Sequence, residues 1–338
     1  SFIDLDCYDI VRDPTDGTKL SHAKANVVPF RMVFTYKYED PDDPNRPTKS
    51  KCRLVYKGFK DTRLNYGLLT DSPTVHTANL RMMMHIGTEL GWKPGCFDVS
   101  TAFLRGGKLE GEVLSTIPQG FEGLWEEDGE AKIPPGSLLR LKRCIYGLGD
   151  APREWYLKFR KDMEDIGFEV SRLDPSIFVK YGEPRSEGTH RGWTEGFQQE
   201  LDSAEGRRAH RSLDYLEDGN RELGGFIALH VDDGLVMGSE HFARTTLKEV
   251  LDHYEIKELE TGVFKYLGAV LRTTSDGMQL DFSHHSAKLK GVPVPPSAAD
   301  MSDDTPLSKS LHTAFRSALG ILPYMTLMGH PMASFEVN

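Results

Sequence analysis

The chain reads as an α+β protein in which helices and antiparallel hairpins are mixed along one polypeptide. Short apolar or alternating runs recur beside turn residues, as at Val33-Phe34-Thr35-Tyr36, at Arg53-Leu54-Val55-Tyr56 and around Asp232-Asp233-Gly234. Between them lie stretches with apolar residues three and four apart, of which Leu80, Met83, Met84, Ile86 and Leu90 are the clearest. The length of 338 residues amounts to about two domain-sized units, ample to bury a core.

Taken in order, residues 1–30 lack sustained periodicity, and the first strand is expected at 33–36. Residues 40–47 hold three prolines with Asp and Asn, a turn signal, and 53–56 return as a second strand, so a hairpin with basic residues near its tip is expected. An amphipathic helix over 77–90 stops at Gly91. Cys96-Phe97-Asp98-Val99 reads as a strand, and 152–167 as a helix that starts with Pro in its first turn and ends at Gly. From 182 to 224 the composition changes to Gly, Glu, Arg, Ser and Gln with few aliphatics, which reads as an inserted, mobile segment. Apolar order resumes over 226–237 as two short strands around an acidic turn. A helix over 242–253 follows, then a strand pair at 264–271 and 278–282 with Ser275-Asp276-Gly277 near its turn. Residues 292–297 read as a proline-rich linker, and 309–328 as a helix despite Pro323.

Hydrophobic residues at 38% and charged residues at 27% exclude a chain disordered throughout. Cys7, Cys52, Cys96 and Cys144 are far apart and form no C-x-x-C pair, so neither a zinc site nor a disulfide framework is expected, only reduced thiols of an intracellular protein. No apolar run reaches the length of a membrane span. The chain opens on Ser1 with no signal-peptide pattern, and a start without Met suggests a piece of something longer. The net charge of −10 is the wrong sign for holding nucleic acid by bulk electrostatics, so such contact has to use local basic patches. Two exist, at residues 46–60 and 140–160, and either one alone is better read as a solvated face.

The chemistry points to carboxylates. Asp232 and Asp233 sit in the middle of an apolar strand run, where ionised groups without a cation cost several kcal/mol each. Taken alone, Asp232-Asp233-Gly234 is better read as a solvated hairpin turn, because Asp-Gly between apolar runs is a strong turn signal. Asp98 presents the same anomaly between Phe97 and Val99. Three carboxylates on neighbouring strands would make a hard oxygen site for Mg²⁺, and two such ions suit an in-line phosphoryl displacement. No P-loop, dinucleotide, zinc-peptidase or nucleophilic-serine motif competes with this reading.

The order of motifs resembles the reverse transcriptase of copia-type LTR retrotransposons. The blocks are 51–60 (KCRLVYKGFK), Ser72-Pro73-Thr74-Val75, Asp98-Val99-Ser100-Thr101-Ala102-Phe103-Leu104 and Pro118-Gln119-Gly120-Phe121-Glu122. Next come Tyr146-Gly147-Leu148 with Ala151-Pro152-Arg153, Asp174-Pro175-Ser176-Ile177-Phe178, Val231-Asp232-Asp233 and Lys265-Tyr266-Leu267-Gly268.

This resemblance implies a right-hand polymerase fold: fingers, a palm of antiparallel sheet backed by helices, and a short thumb. The expected division is an N-terminal flank (1–26), the first part of the fingers (27–95), fingers and palm with the insert (96–272), and the thumb with the start of the connection region (273–338). It implies RNA-directed DNA synthesis with dNTPs on an RNA or DNA template with a primer strand, using two Mg²⁺, for which Mn²⁺ can substitute. Asp98, Asp232 and Asp233 match the catalytic carboxylates and, with Val99, the metal set. Lys51, Arg53, Phe103, Tyr146 and Gly147 match nucleotide-binding positions, with Phe103 the residue that excludes a 2′-hydroxyl. Tyr266, Leu267 and Gly268 resemble the primer-grip hairpin, and Lys257 a proton donor to pyrophosphate. A cytoplasmic virus-like particle is the implied location, with the nucleus as the alternative.

The chain departs from the family pattern in places. His230 stands where Tyr is usual, Gly149-Asp150 replace Lys-Gln, Met32 stands where Trp is typical, and Pro323 interrupts a terminal helix. The insert also falls where the family has a short strand connection. These departures motivate the alternative of a catalytically decayed, nucleic-acid-binding module, or of a remnant that does not fold stably.

Overall fold

A computed structural model describes residues 5–11, 25–38, 47–117, 137–184, 221–274, 277–283, 287–294 and 306–328. Along the chain run β1 (Tyr8–Val11), β2 (Phe30–Tyr38), β3 (Pro47–Tyr56), α1 (Thr77–Glu89), β4 (Gly95–Asp98), α2 (Ala102–Arg105), β5 (Leu114–Thr116) and β6 (Leu138–Leu141). They are followed by α3 (Ala151–Asp165), β7 (Glu169–Val170), β8 (Ile177–Pro184), β9 (Arg221–His230), β10 (Asp233–Gly238), α4 (Glu240–Arg244) and α5 (Thr246–His253). Last come β11 (Glu260–Thr261), β12 (Val263–Tyr266), β13 (Ala269–Thr274), β14 (Gly277–Asp281) and α6 (Lys309–Met328). Helices and antiparallel sheets are mixed, an α+β architecture. The chain divides into two compact units, one of Ser1–Thr74 with Val99–Gly167 and one of Val75–Asp98 with Phe168–Asn338.

In the first unit β2 and β3 form the expected hairpin, paired from Phe30–Tyr56 to Tyr38–Pro47. The pairing is longer than the apolar alternation suggested, because the ladder continues through Thr35–Lys51 and Lys37–Lys49, where the residues are polar. A three-stranded antiparallel sheet of order β1-β6-β5 stands beside it. Helix α3 forms where Pro152 occupies the first turn and Glu154 favours the positive helix end. Its Trp155, Phe159 and Met163, at four-residue spacing, are buried, each contributing about 1.5–3 kcal/mol. The core of this unit joins Tyr56, Leu104, Val113, Leu141, Ile145 and Leu148.

The second unit is built on a six-stranded antiparallel sheet of order β11-β4-β10-β9-β8-β7. Phe226, Ile227, Ala228 and Leu229 of β9 are all buried, so this strand is covered on both faces and reads as a continuous apolar run. Helix α1 packs Leu80, Met83 and Met84 into the same core as Phe226, Leu235 and Met237. Its start is tied down by the Asp174 carboxylate, which accepts from the His76 amide (2.8 Å) and from Asn79 Nδ2 (3.1 Å).

Some expectations are corrected. The helix read over 242–253 is two helices broken at Thr245, whose φ of −112° and ψ of −85° leave the helical region. The strand read over 264–271 is the hairpin β12–β13, because Leu267 (φ 47°) and Gly268 (φ 78°) both adopt positive φ and reverse the chain. β8 and β9 run into both ends of the stretch read as an insert, pairing Pro184 with Arg221, and residues 185–220 lie outside the described residues. Helix α6 continues through Pro323. The turn over 40–46 and the Pro118-Gln119-Gly120-Phe121-Glu122 motif lie outside the described residues.

Candidate active site

β9 and β10 are joined by the two residues Val231 and Asp232, with His230 paired to Asp233. Val231 has a φ of 60°, as the first central residue of a type II′ turn requires. A β-branched residue there costs on the order of 1–3 kcal/mol and persists only where the surroundings hold it. The turn therefore sits two residues earlier than the Asp-Gly signal suggests, and Asp233 begins β10.

Register does the rest. β10 pairs with β4 so that Asp233 lies opposite Asp98 and Gly234 opposite Phe97. A Cβ at Gly234 would lie 2.3 Å from the Phe97 ring, so only glycine lets the two strands approach beside the acidic pair. Asp98, Asp232 and Asp233 each offer a carboxylate oxygen, all within 4.8 Å of one another; Asp98 is exposed and the other two are half-buried. Burial pushes the Asp233 carboxyl up to about 6, helped by the negative charges of Asp232, Asp98 and Glu260. A trio of hard oxygen donors in which burial and mutual repulsion raise the proton affinity of one member fits a divalent cation of the Mg²⁺ type. Behind it, His230 has a buried Nδ1 with no hydrogen-bond partner among the described residues, and burial lowers its proton affinity against the pull of Asp232.

The nucleotide-binding candidates belong to the first unit. Lys51 lies on β3 opposite Thr35, and half-buried Arg53 opposite Val33. Phe103, on α2, packs against Tyr146 as a tilted pair, with ring centroids 4.9 Å apart and planes at 57°. Gly147 has a φ of 93°, and a Cβ there would lie 2.1 Å from the Tyr56 carbonyl oxygen, so glycine is obligatory. The turn is held by the Tyr56 and Gly58 amides, which donate to the carbonyls of Tyr146 (2.7 Å) and Gly147 (3.1 Å). Val99, next to Asp98 in the chain, is buried.

In the second unit, Tyr266 is buried and its hydroxyl donates to the Ala228 carbonyl at 3.0 Å, so its ring belongs to the core. That leaves the half-buried Leu267 and exposed Gly268 as the outer part of the hairpin. The Leu267 carbonyl accepts from the Tyr324 hydroxyl. Lys257 is exposed between α5 and β11.

Sequence reasoning missed Gly234 as a strand glycine and Glu260, which pairs with Cys96 on the sheet edge. It also missed the role of Asp150: this buried residue is ion-paired to Arg63 at 2.8 Å.

As a class, an α+β chain with a carboxylate trio on an antiparallel sheet fits proteins that carry out phosphate chemistry with divalent cations. Comparison with known proteins narrows this. Residues 6–186 match the family model described as reverse transcriptase (RNA-dependent DNA polymerase), and the chain belongs to that family. It is 27% identical over 326 residues (92% of the chain) to a retrovirus-related Pol polyprotein from transposon RE2 of Arabidopsis thaliana, and 26% identical over the same length to that from transposon RE1. A segment of 155 residues, 45% of the chain, is 30% identical to the Pol polyprotein from transposon TNT 1-94 of Nicotiana tabacum. These relatives are copia-type elements. The chain spans 19%, 18% and 11% of their respective lengths. Among the described residues no helix is long and apolar enough to cross a membrane.

Proposed function

We propose that this chain is an RNA-directed DNA polymerase of a copia-type retrotransposon, transferring nucleotides from dNTPs to a primer 3′-hydroxyl along an RNA or DNA template. The observation that carries the reading is the convergence of Asp98, Asp232 and Asp233, distant in sequence, to within 4.8 Å. In a right-hand layout the sheet around β4, β10 and β9 is the palm, the β2–β3 hairpin belongs to the fingers, and the C-terminal elements form a short thumb.

Asp98, Asp232 and Asp233, with the Val99 backbone, would hold two Mg²⁺ ions or Mn²⁺ in their place. When bound, these ions supply activation of the attacking hydroxyl and charge neutralisation on the leaving pyrophosphate. The protein's own groups account for the remaining roles. The strained Val231 turn and the Gly234–Phe97 contact hold the carboxylates in register. Lys51 and Arg53 neutralise triphosphate oxygens as charge develops. Phe103, braced by Tyr146, forms a floor under the sugar that leaves no room for a 2′-hydroxyl. The Gly147 backbone allows close approach to the base pair, the Leu267-Gly268 turn grips the primer, and Lys257 donates a proton to pyrophosphate. A virus-like particle in the cytoplasm is the compartment this reading implies.

Primer extension on a poly(rA) template with an oligo(dT) primer tests it. Wild type extends in Mg²⁺, and an Asp232→Asn/Asp233→Asn double variant loses extension by at least about 10³-fold, as expected when transition-state charge stabilisation is removed. Full activity in the double variant refutes the mechanism. A second reading, a binding module without turnover, is favoured by one observation: Asp150 is committed to an ion pair rather than open to a nucleotide. Tight primer–template binding by wild type with no extension in either metal selects it.

A further inference from the structure

Three chain segments that bear the candidate nucleotide residues meet at one half-buried guanidinium. Arg63 follows β3 and has 12% side-chain exposure, against 0% for Asp61 and 4% for Asp150. Its Nη1 donates to Asp150 Oδ2 (2.8 Å) and to the Glu110 carbonyl (2.7 Å). Nη2 donates to Asp61 Oδ2 (2.7 Å) and to Asp150 Oδ1 (3.3 Å), while Nε donates to both Asp61 oxygens at 3.1–3.2 Å. Every N–H of the fork is thereby engaged. Asn26 closes the network, donating to Asp61 Oδ1 at 2.9 Å and accepting from the Thr62 amide at 3.0 Å.

As bare adhesive this is a poor arrangement. Two carboxylates share one guanidinium away from water, and apolar residues of the same volume commonly stabilise as well or better. What the network supplies is direction. The planar, bidentate fork allows one orientation of Asp150, and Asp150 lies three residues beyond Gly147 and precedes α3. The Glu110 carbonyl lies five residues past the end of α2, which carries Phe103. Asp61 lies three residues past Gly58, whose amide holds the Gly147 carbonyl. Arg63 thus links all three segments around the Phe103–Tyr146 ring pair.

We infer that Arg63 is a positioning residue that, through Asp150, Asp61 and the Glu110 carbonyl, fixes the Tyr146–Gly147 turn against the end of β3 and so sets the nucleotide pocket's sugar face. The assignment rests on the polymerase reading for its consequence, and on geometry alone for the clamp.

The test uses the full chain in three forms: Arg63→Lys, Arg63→Met, and a charge-free Asp61→Asn/Arg63→Met/Asp150→Asn variant. The last leaves no buried charge uncompensated and keeps the test readable where Arg63→Met alone fails to fold. Amide hydrogen exchange at Tyr56 and Gly58 reads the clamp directly. The charge-free variant exchanges at least about tenfold faster there while the amides of the second unit's sheet keep their protection. Steady-state extension reads the consequence: KM for dNTP rises by about tenfold and discrimination against rNTPs falls, with kcat changed less than KM. Arg63→Lys, which keeps the charge without the fork, falls between wild type and the charge-free variant on both readouts. Unchanged exchange at Tyr56 and Gly58 overturns the clamp. Lost protection with unchanged KM and sugar discrimination overturns its role in the nucleotide pocket. Absence of extension by wild type overturns the polymerase reading instead, and the exchange data then decide the clamp by themselves.

Discussion

Replacing Asp233 with Asn should stabilise the metal-free protein and abolish its stabilisation by Mg²⁺. Asn keeps the shape of the side chain and removes its charge. The carboxyl of Asp233 is raised from 3.8 to about 6, by burial first and then by Asp232, Asp98 and Glu260. A carboxyl raised in this way binds its proton more tightly folded than unfolded. The stability it confers is full below 3.8 and is lost as pH rises through about 6. Two units at about 1.36 kcal/mol each give an upper bound near 3 kcal/mol, and partial exposure screens this to about 1–3 kcal/mol. At about 2–4 °C per kcal/mol for a unit of this size, Asp233→Asn melts several degrees above wild type in EDTA at pH 8. The gap closes as pH falls from 7 towards 4. Adding Mg²⁺ raises the wild-type midpoint and leaves the variant nearly unmoved, because the cation relieves a repulsion the variant no longer has. A variant less stable than wild type at pH 8 in EDTA, or equal Mg²⁺ stabilisation of both, refutes the reasoning.

Other expectations follow from single contacts. Phe103→Val, which removes the ring packed against Tyr146, raises rNTP incorporation relative to dNTP by at least about tenfold in single-nucleotide extension. Gly234→Ala drives a Cβ into the Phe97 ring and destabilises the protein by about 1–3 kcal/mol in urea titrations, with a matching loss of Mn²⁺ affinity. Thr101 holds φ 58° and ψ 34° ahead of α2. Thr101→Asn, better suited to that region, stabilises by about 1 kcal/mol in the same titration.

The sequence made the hairpins and helices legible wherever residue alternation, apolar spacing or end signals set a pattern. The β2–β3 pair appeared from alternation, α1 from apolar residues three and four apart, and α3 from Pro152 at its start and Gly167 at its end. Turns were legible only where their residues announce them. Asp233-Gly234 carried the stronger turn signal, yet the reversal falls on Val231-Asp232, because the β4 register and the Phe97 ring require Gly234 within the strand. Leu267 is an unfavourable residue for positive φ, so the β12–β13 reversal hid inside an apolar run. The break at Thr245 left the helical period unbroken on both sides and had no signature. Among site residues, the three carboxylates stood out because ionisable groups inside strands are costly. Arg63 and Asp150 did not, since the partners are 87 residues apart and each looks like an ordinary surface charge.

Diffraction from crystals grown with primer–template, an incoming dNTP and Mn²⁺ tests the divalent-ion centre most directly, through the anomalous signal of the metal. The account predicts manganese peaks within about 2.5 Å of oxygens from Asp98, Asp232 and Asp233, all three carboxylates sharing them. Ordered nucleotide with manganese bound only elsewhere, or ligated by Asp232 and Asp233 without Asp98, would contradict it.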